Sequence, residues 1–289
     1  MKKIRIGWAG LGNMGVPMMK TLARAGYEIV LFNRTAAKAE ALGKELQLSV
    51  AATPAGLLKD TSFVISMLAD DTALKEVYTG PGGILTGKPA KEIIAIDMST
   101  VSPATTQQLA ALCREKGMSY LDAPVSGSVK QAEEKQLVIM VGGDTAVYEK
   151  ARPVFDNLGK ASFLAGKNGA GNYTKLAVNL FLGITAQGLA EAALFAGKNG
   201  IDAATLFSII NNGALGSAFS KLKSSNIIEN NFKAAFALKH EAKDLRLAKE
   251  EGMNTPLGNE VNKSFQKALE NGLGEEDIIA IMKFINSTQ

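Results

Sequence analysis

At 289 residues, 46% apolar and 21% charged, the chain has the length of two domains and can bury its cores without staples. Its one cysteine, Cys113, and one histidine, His240, exclude an intramolecular disulfide and a Cys- or His-rich metal centre, so no metal is expected. A net charge of +4 with no basic run argues against nucleic acid, and no uninterrupted apolar stretch reaches the ~18 residues of a membrane span. The expectation is a soluble cytoplasmic protein.

The opening, MKKIRIGWAG, reads as a strand rather than a leader, because Gly10, Gly12 and Asn13 break the apolar run too early. Further short apolar runs follow: EIVLFN, SFVISML, EIIAIDM, SYLDAP and LVIMVGG. Between them, MGVPMMKTLARAG, AAKAEALGKEL and SPATTQQLAALCREKG carry apolar residues at helical spacing. Strands apolar nearly throughout and alternating with helices predict an α/β fold, a Rossmann-like doubly wound parallel sheet over residues 1–165. After GKNGAGN the periodicity is almost wholly helical. An all-α domain is therefore expected over 166–289, led by a long interdomain helix, with the cleft between the domains as the default ligand site.

GWAGLGNMG places Gly10, Gly12 and Gly15 at G-x-G-x-x-G spacing between a strand and a helix. Gly10 permits the tight turn, Gly12 the close approach of a pyrophosphate and Gly15 the packing of helix on strand; Leu11, Asn13 and Met14 complete the loop. The helix N-terminus that follows suits phosphate. The next strand ends in Asn33, Arg34 and Thr35, where an NAD site places a carboxylate for the ribose. Nothing there repels a 2′-phosphate, and Arg34 and Thr35 can bind one, so NADP(H) is the expected cofactor. Arg34 beside a helix cap is the plainer reading of the same residues. Later strands end at SMLADD and DMST, so Met67 and Leu68 are expected on the ribose or adenine side and Thr100 at the nicotinamide end. Ser102 reads as a helix cap.

Near the start of an apolar helix stands Lys175, with Asn179 one turn on and on the same face. Read alone, such a lysine is a side chain keeping its ammonium in water. Ser126, Gly127 and Ser128 follow a strand end; the residues alone leave open an anion nest or an ordinary turn. Lys243 and Asp244, in KHEAKDLRLAKEE, read first as a solvated face. His240 is kept out of the catalytic set.

DAPVSGSVKQAEEKQLVIMVGG, GAGNYTKLAVN and FALKHEAKDLRLA, together with GLGNMGVPM, resemble the β-hydroxyacid dehydrogenase family in order and spacing over essentially the whole chain. Ser128, Lys130, Ala132 and Glu133 resemble its glyoxylate/succinic semialdehyde reductase branch. Gln131 departs from that branch, which often has proline there, and Glu134 and Lys135 replace an acid-glycine pair. The resemblance implies that Lys175 is the catalytic acid, that Ser126 and Gly127 hold a substrate carboxylate and that Phe236 walls the substrate pocket. It also implies that Lys243 lies at the mouth of the site near nicotinamide and substrate. Asn179 can hydrogen-bond the lysine or the substrate, and Asp244 can orient Lys243.

Reducing an aldehyde needs a hydride and a proton; an ammonium both delivers the proton and stabilises the developing alkoxide, and burial lowers its pKa toward the working range. The expected activity is NADPH-dependent reduction of small carboxylated aldehydes such as glyoxylate or succinic semialdehyde. One alternative is oxidation of 3-hydroxyisobutyrate or another β-hydroxyacid; another is a non-catalytic NADP-binding module, which relatives reach by losing the lysine. Imine reductases resemble the family too, but generally replace that lysine. By the same resemblance the protein is a homo-oligomer, a dimer or tetramer. The small-residue face Ala177, Ala186, Ala190 and Ala193 suits close packing within or between chains.

Overall fold

The computed structural model describes residues 4–89 and 92–287. Lys3, with which the first expected strand opens, lies outside them. The chain divides into two compact units, Met1–Lys175 and Leu176–Gln289. The division falls inside a helix, past the glycine turn at which the sequence places it.

In the first unit the strands are β1 (Arg5–Ala9), β2 (Glu28–Phe32), β3 (Ser49–Val50), β4 (Phe63–Ser66), β5 (Ile94–Asp97), β6 (Ser119–Asp122), β7 (Val125–Ser126), β8 (Leu137–Gly142) and β9 (Gly159–Gly166). Among the described residues they form one sheet in the order β3-β2-β1-β4-β5-β6-β8-β7, with β9 beside β8. From β3 to β6 the pairing is parallel, and the direction of winding switches between β1 and β4, where doubly wound sheets bind their ligands. The side-chain period of two splits the core. Ile6, Trp8, Ile65 and Ile96 pack with Met18, Met19 and Leu22 of α1 (Gly15–Arg24). Val64 and Ala95, one residue out of phase, pack on the other face with Leu74 and Tyr78 of α3 (Asp71–Thr79) and Leu109 and Cys113 of α4 (Pro103–Glu115).

β8 corrects the expectation of parallel strands, since it runs antiparallel to both β6 and β7. Only the short helix α5 (Val129–Glu133) and a turn with Lys135 at φ 58° lie between β7 and β8. So short a link returns the chain along its neighbour instead of crossing over the sheet. Helices α2 (Ala36–Leu46) and α6 (Thr145–Phe155) complete this unit.

The helix α7 (Ala170–Lys198) begins in the first unit and continues into the second. The second unit adds α8 (Ala203–Asn212), α9 (Ala218–Ile228), α10 (Leu238–Glu250), α11 (Pro256–Ala268) and α12 (Ile281–Ser287). Ala186, Ala190 and Ala193 pack inside its core with Phe207, Leu245, Val261 and Phe265, whereas Ala177 is exposed. By length and composition alone α7 could cross a bilayer, its best window averaging a hydropathy of 1.4. The expectation of no span asked for an unbroken apolar run, which Lys175, Asn179, Gln187 and Glu191 interrupt; Lys175 and Asn179 are the two that bear on the site. Both are buried along α7, as is Asn172.

Candidate active site

The glycine loop after β1 is built by close approaches. Gly10 has φ +104°, and a Cβ on it would lie 2.2 Å from the carbonyl of Met67. A Cβ on Gly15 would lie 2.2 Å from the carbonyl of Gly10, which also accepts the buried Trp8 indole N–H at 2.9 Å. These two glycines are therefore demanded by the fold. A Cβ on Gly12 would meet nothing within 4 Å, so the protein itself does not require glycine there. Helix α1 starts at this loop with no side-chain cap and no acidic residue in its first turn. Its N-terminal amides and dipole suit phosphate oxygens. A glycine the fold does not need, at the mouth of an uncapped helix, fits a dinucleotide pyrophosphate.

Asn33 works from inside the chain. Its Oδ1 accepts the Leu11 N–H at 3.1 Å and its Nδ2 donates to the Thr35 carbonyl at 3.1 Å, tying the loop to the end of β2. Thr35 stands at the N-cap of α2 without a side-chain capping bond. Arg34 is 81% exposed, with Glu76 of α3 at 3.9 Å. A cavity of about 280 Å3 opens beside them, lined by Phe32, Asn33, Arg34, Glu40, Ala51 and Thr53 among others.

Register carries this edge along the sheet, pairing Ala9 with Ser66, Ser66 with Asp97 and Asp97 with Asp122. Asp97 is fully buried, and its Oδ1 accepts the hydroxyls of Ser66 and Ser99, each at 2.7 Å. The Ser99 hydroxyl in turn accepts the Leu68 N–H at 2.8 Å, so the carboxylate reaches the loop of Met67 and Leu68 through one serine. Burial pushes the Asp97 carboxyl up to about 7, against the pull of these hydrogen bonds. Burial also raises Asp122, which accepts the N–H groups of Gly169 at 2.9 Å and Asn172 at 3.0 Å. Those are the amides that open α7, so Asp122 pins the start of the helix carrying Lys175. Ser102 caps α4, accepting the Thr105 N–H at 3.1 Å. Lys175 itself is buried, at 8% exposure.

At the 126–128 turn Gly127 has φ +139°, and a Cβ there would press on Leu137 at 2.8 Å. Ser128 donates both its N–H, at 2.9 Å, and its hydroxyl to Oε1 of Gln131. The nest expected from Ser126, Gly127 and Ser128 thus loses Ser128, whose donors are committed to the residue that departs from the related branch.

In the second unit, Asn179 donates to Asp244 Oδ2 at 2.6 Å and Lys243 pairs with Asp244 Oδ1 at 3.2 Å. Asn179 and Asp244 are buried. Phe236 stacks on His240, ring centroids 6.1 Å apart, and partial desolvation with Lys243 and Lys239 nearby lowers the histidine pKa. Asp277 fixes the Phe236 segment: its Oδ2 accepts the N–H groups of Ala235 and Phe236, and its Oδ1 takes Lys223 Nζ at 2.6 Å. The sequence reading missed Asp97, Asp122, Asn172, Lys223 and Asp277. For the first two a signal was present, a carboxylate closing an otherwise apolar strand at matching places in IAID and SYLD.

Residues 5–166 match the family described as the NAD binding domain of 6-phosphogluconate dehydrogenase. Residues 169–285 match the one described as NAD-binding of NADP-dependent 3-hydroxyisobutyrate dehydrogenase. The chain is 36% identical to glyoxylate/succinic semialdehyde reductase 1 of Arabidopsis thaliana, covering 98% of each chain. It is 35% identical to 2-(hydroxymethyl)glutarate dehydrogenase of Eubacterium barkeri, over 98% of this chain and 95% of that one. The structure of Mycobacterium tuberculosis 3-hydroxyisobutyrate dehydrogenase with L-serine superposes with a TM-score of 0.87 at 29% identity, covering 98% of this chain and 99% of that one. With its glycine cradle, its 3-2-1-4-5-6 sheet core and these full-length likenesses, the chain belongs to the β-hydroxyacid dehydrogenase family and is an NAD(P)-dependent oxidoreductase.

Proposed function

We propose that the protein reduces small carboxylated aldehydes, glyoxylate or succinic semialdehyde, to hydroxyacids with NADPH. The observation that carries this is Lys175, an ammonium buried in the second turn of α7, whose first turn hangs from the end of β6. Reduced nicotinamide, when bound, supplies the hydride. Lys175 gives a proton to the carbonyl oxygen as negative charge develops there, and its own charge stabilises that oxygen. Asn179 and Asp244 fix the polar surroundings of the reacting group, and Lys243, held by Asp244, adds positive charge for an anionic substrate. Ser126 and the N–H of Gly127 bind the substrate carboxylate, and Phe236 forms the apolar wall of its pocket.

Gly10, Leu11, Gly12, Asn13, Met14 and Gly15 cradle the pyrophosphate. Arg34 and Thr35 take the 2′-phosphate, Met67 and Leu68 contact the ribose side, and Thr100 the nicotinamide end. The substrate class draws on the Arabidopsis reductase. The likeness to a 3-hydroxyisobutyrate dehydrogenase supports a second reading, in which the same residues run the oxidation and Lys175 accepts the proton. We further propose a cytoplasmic homo-oligomer, the exposed apolar residues Phe181, Phe195 and Ile209 being its contact surface.

Steady-state assays of carboxylated aldehydes and hydroxyacids with both cofactors separate the two directions. Lys175→Ala is expected to keep NADPH binding and lose turnover by roughly 100-fold or more, the scale of general acid catalysis. Near-normal turnover in that variant would refute the acid role.

A further inference from the structure

We infer that Asn172 is a positioning residue for the reaction, locking the strand-end segment at Thr100 and Val101 to the helix turn that carries Lys175. The inference rests on the proposed role of Lys175. Asn172 is fully buried and bonds to three different elements. Its Oδ1 accepts the N–H of Val101 at 3.2 Å, directly after Thr100. Its Nδ2 donates to the Thr106 hydroxyl on α4 at 3.0 Å. Its backbone N–H goes to Asp122 at the end of β6, at 3.0 Å.

The surroundings leave α7 no other seat. A Cβ on Gly171 would lie 2.6 Å from the Met140 carbonyl and 2.8 Å from the Asp122 carboxylate. Gly169 takes φ +97°, and Asn168 donates from Nδ2 to the Tyr120 carbonyl at 2.9 Å. The first turn of α7 is thus pressed against β6 and β8, and Asn172 adds the link to the 98–101 segment. Lys175 follows three residues later, on the neighbouring helical row, so a tilt or slip at Asn172 is passed to the ammonium through one turn of helix. An amide suits the place because it accepts from one neighbour and donates to the other with no charge. A carboxylate would set a second buried acid against Asp122, and glutamine is a methylene too long.

Hydride and proton donors held by different segments react only if those segments keep their register, and a misplacement of about 1 Å costs on the order of 100-fold. The test compares Asn172→Ala and Thr106→Val with the full-length wild type. The readouts are kcat, KM, NADPH affinity by fluorescence, thermal midpoint and the primary isotope effect with NADPH deuterated at nicotinamide C4. Asn172→Ala is expected to lower kcat by about 100-fold, raise the isotope effect and leave NADPH affinity within about threefold. Thr106→Val, which keeps the Val101 bond, is expected to lose about three- to tenfold in kcat.

Turnover of Asn172→Ala within about threefold of wild type overturns the inference, as does a loss of turnover matched by an equal loss of NADPH affinity. If Asn172→Ala does not fold, the nearly isosteric Thr106→Val decides: reduced kcat at unchanged NADPH affinity supports the lock, and unchanged kcat overturns it. Lys175→Ala assayed alongside separates the two claims. Wild-type turnover there sinks the lysine role, whereas a slow Lys175→Ala beside a normal Asn172→Ala sinks the lock alone.

Discussion

Asp97 and Asp122 in the first unit and Asp244 and Asp277 in the second are buried in opposite ways. On the sheet edge of the first unit, Asp97 and Asp122 sit side by side in register, held by serine hydroxyls and backbone N–H groups. In the second unit, Asp277 takes a lysine ammonium at 2.6 Å and Asp244 another at 3.2 Å. Dipoles and hydrogen bonds offset only part of the cost of desolvating a charge, and burial accordingly raises both sheet-edge carboxyls. In the second unit a full counter-charge stands opposite each carboxylate. The cofactor edge therefore carries the two raised carboxyls, and the Phe236 segment is braced by charge.

The largest expected effect breaks the braced side. Lys223 and Asp277 are both almost fully buried, and Asp277 also holds the amides of Ala235 and Phe236. Lys223→Met leaves a carboxylate stranded and is expected to cost about 3–5 kcal/mol in urea unfolding. Adding Asp277→Asn removes the stranded charge while keeping an acceptor for the two amides, and should recover part of the loss. A Lys223→Met protein less than about 1 kcal/mol weaker than wild type would mean the pair braces nothing.

The dipole-held side is tested through pH. The Asp97 carboxyl is raised from 3.8 to about 7 in the folded protein. Below the unfolded value both states hold the proton. Between the two values the folded chain keeps a proton that the unfolded chain has released, so stability is lost as pH rises through this window and is level above it. A rise of that size corresponds to roughly 4 kcal/mol. Asp97→Asn keeps an acceptor for Ser66 and Ser99 and has nothing to ionise, so its stability relative to wild type should climb from pH 4 to pH 7 and then stay flat. Parallel urea midpoints across that range would show that Asp97 does not titrate there.

Which features were legible follows from how local they are. GWAGLGNMG could be read because its glycine spacing and its strand-to-helix setting are local, although the carbonyl that crowds Gly10 belongs to Met67, and the six long apolar runs because burial on both faces leaves no other pattern. That same uniform apolarity hides direction, so LVIMVGG gave no sign that β8 runs antiparallel. β3 and β7 are two residues each, too short for any period, and the partly exposed β9 alternates too irregularly. Lys175 and Asn179 show their shared face by spacing alone. Within each unit the buried polar partners lie far off in sequence: Asp97 with Ser66, Asp122 with Gly169 and Asn172 with Val101 in the first, Asn179 with Asp244 in the second. Sheet register and helix packing bring each pair together, and neither is written in a local pattern.

A third, exposed case sharpens the comparison and carries the smallest effect on stability. Arg34 and Glu76 stand 3.9 Å apart, at 81% and 58% side-chain exposure. Solvent screens such a pair, so Glu76→Gln should change stability by less than about 1 kcal/mol. Its consequence falls on the cofactor. Glu76 offers Arg34 a carboxylate where the proposed 2′-phosphate would compete for the guanidinium. Removing the charge is expected to lower the KM for NADPH by about two- to fivefold at low salt, with the gain fading as salt shortens the screening length toward ~3 Å at 1 M. The KM for NADH should stay put, because no phosphate reaches Arg34 from that cofactor. Arg34→Ala should abolish the gain, since Glu76 then has nothing to hold back. Equal changes for both cofactors, or a gain that survives in the Arg34→Ala background, would mean that Arg34 does not read the phosphate.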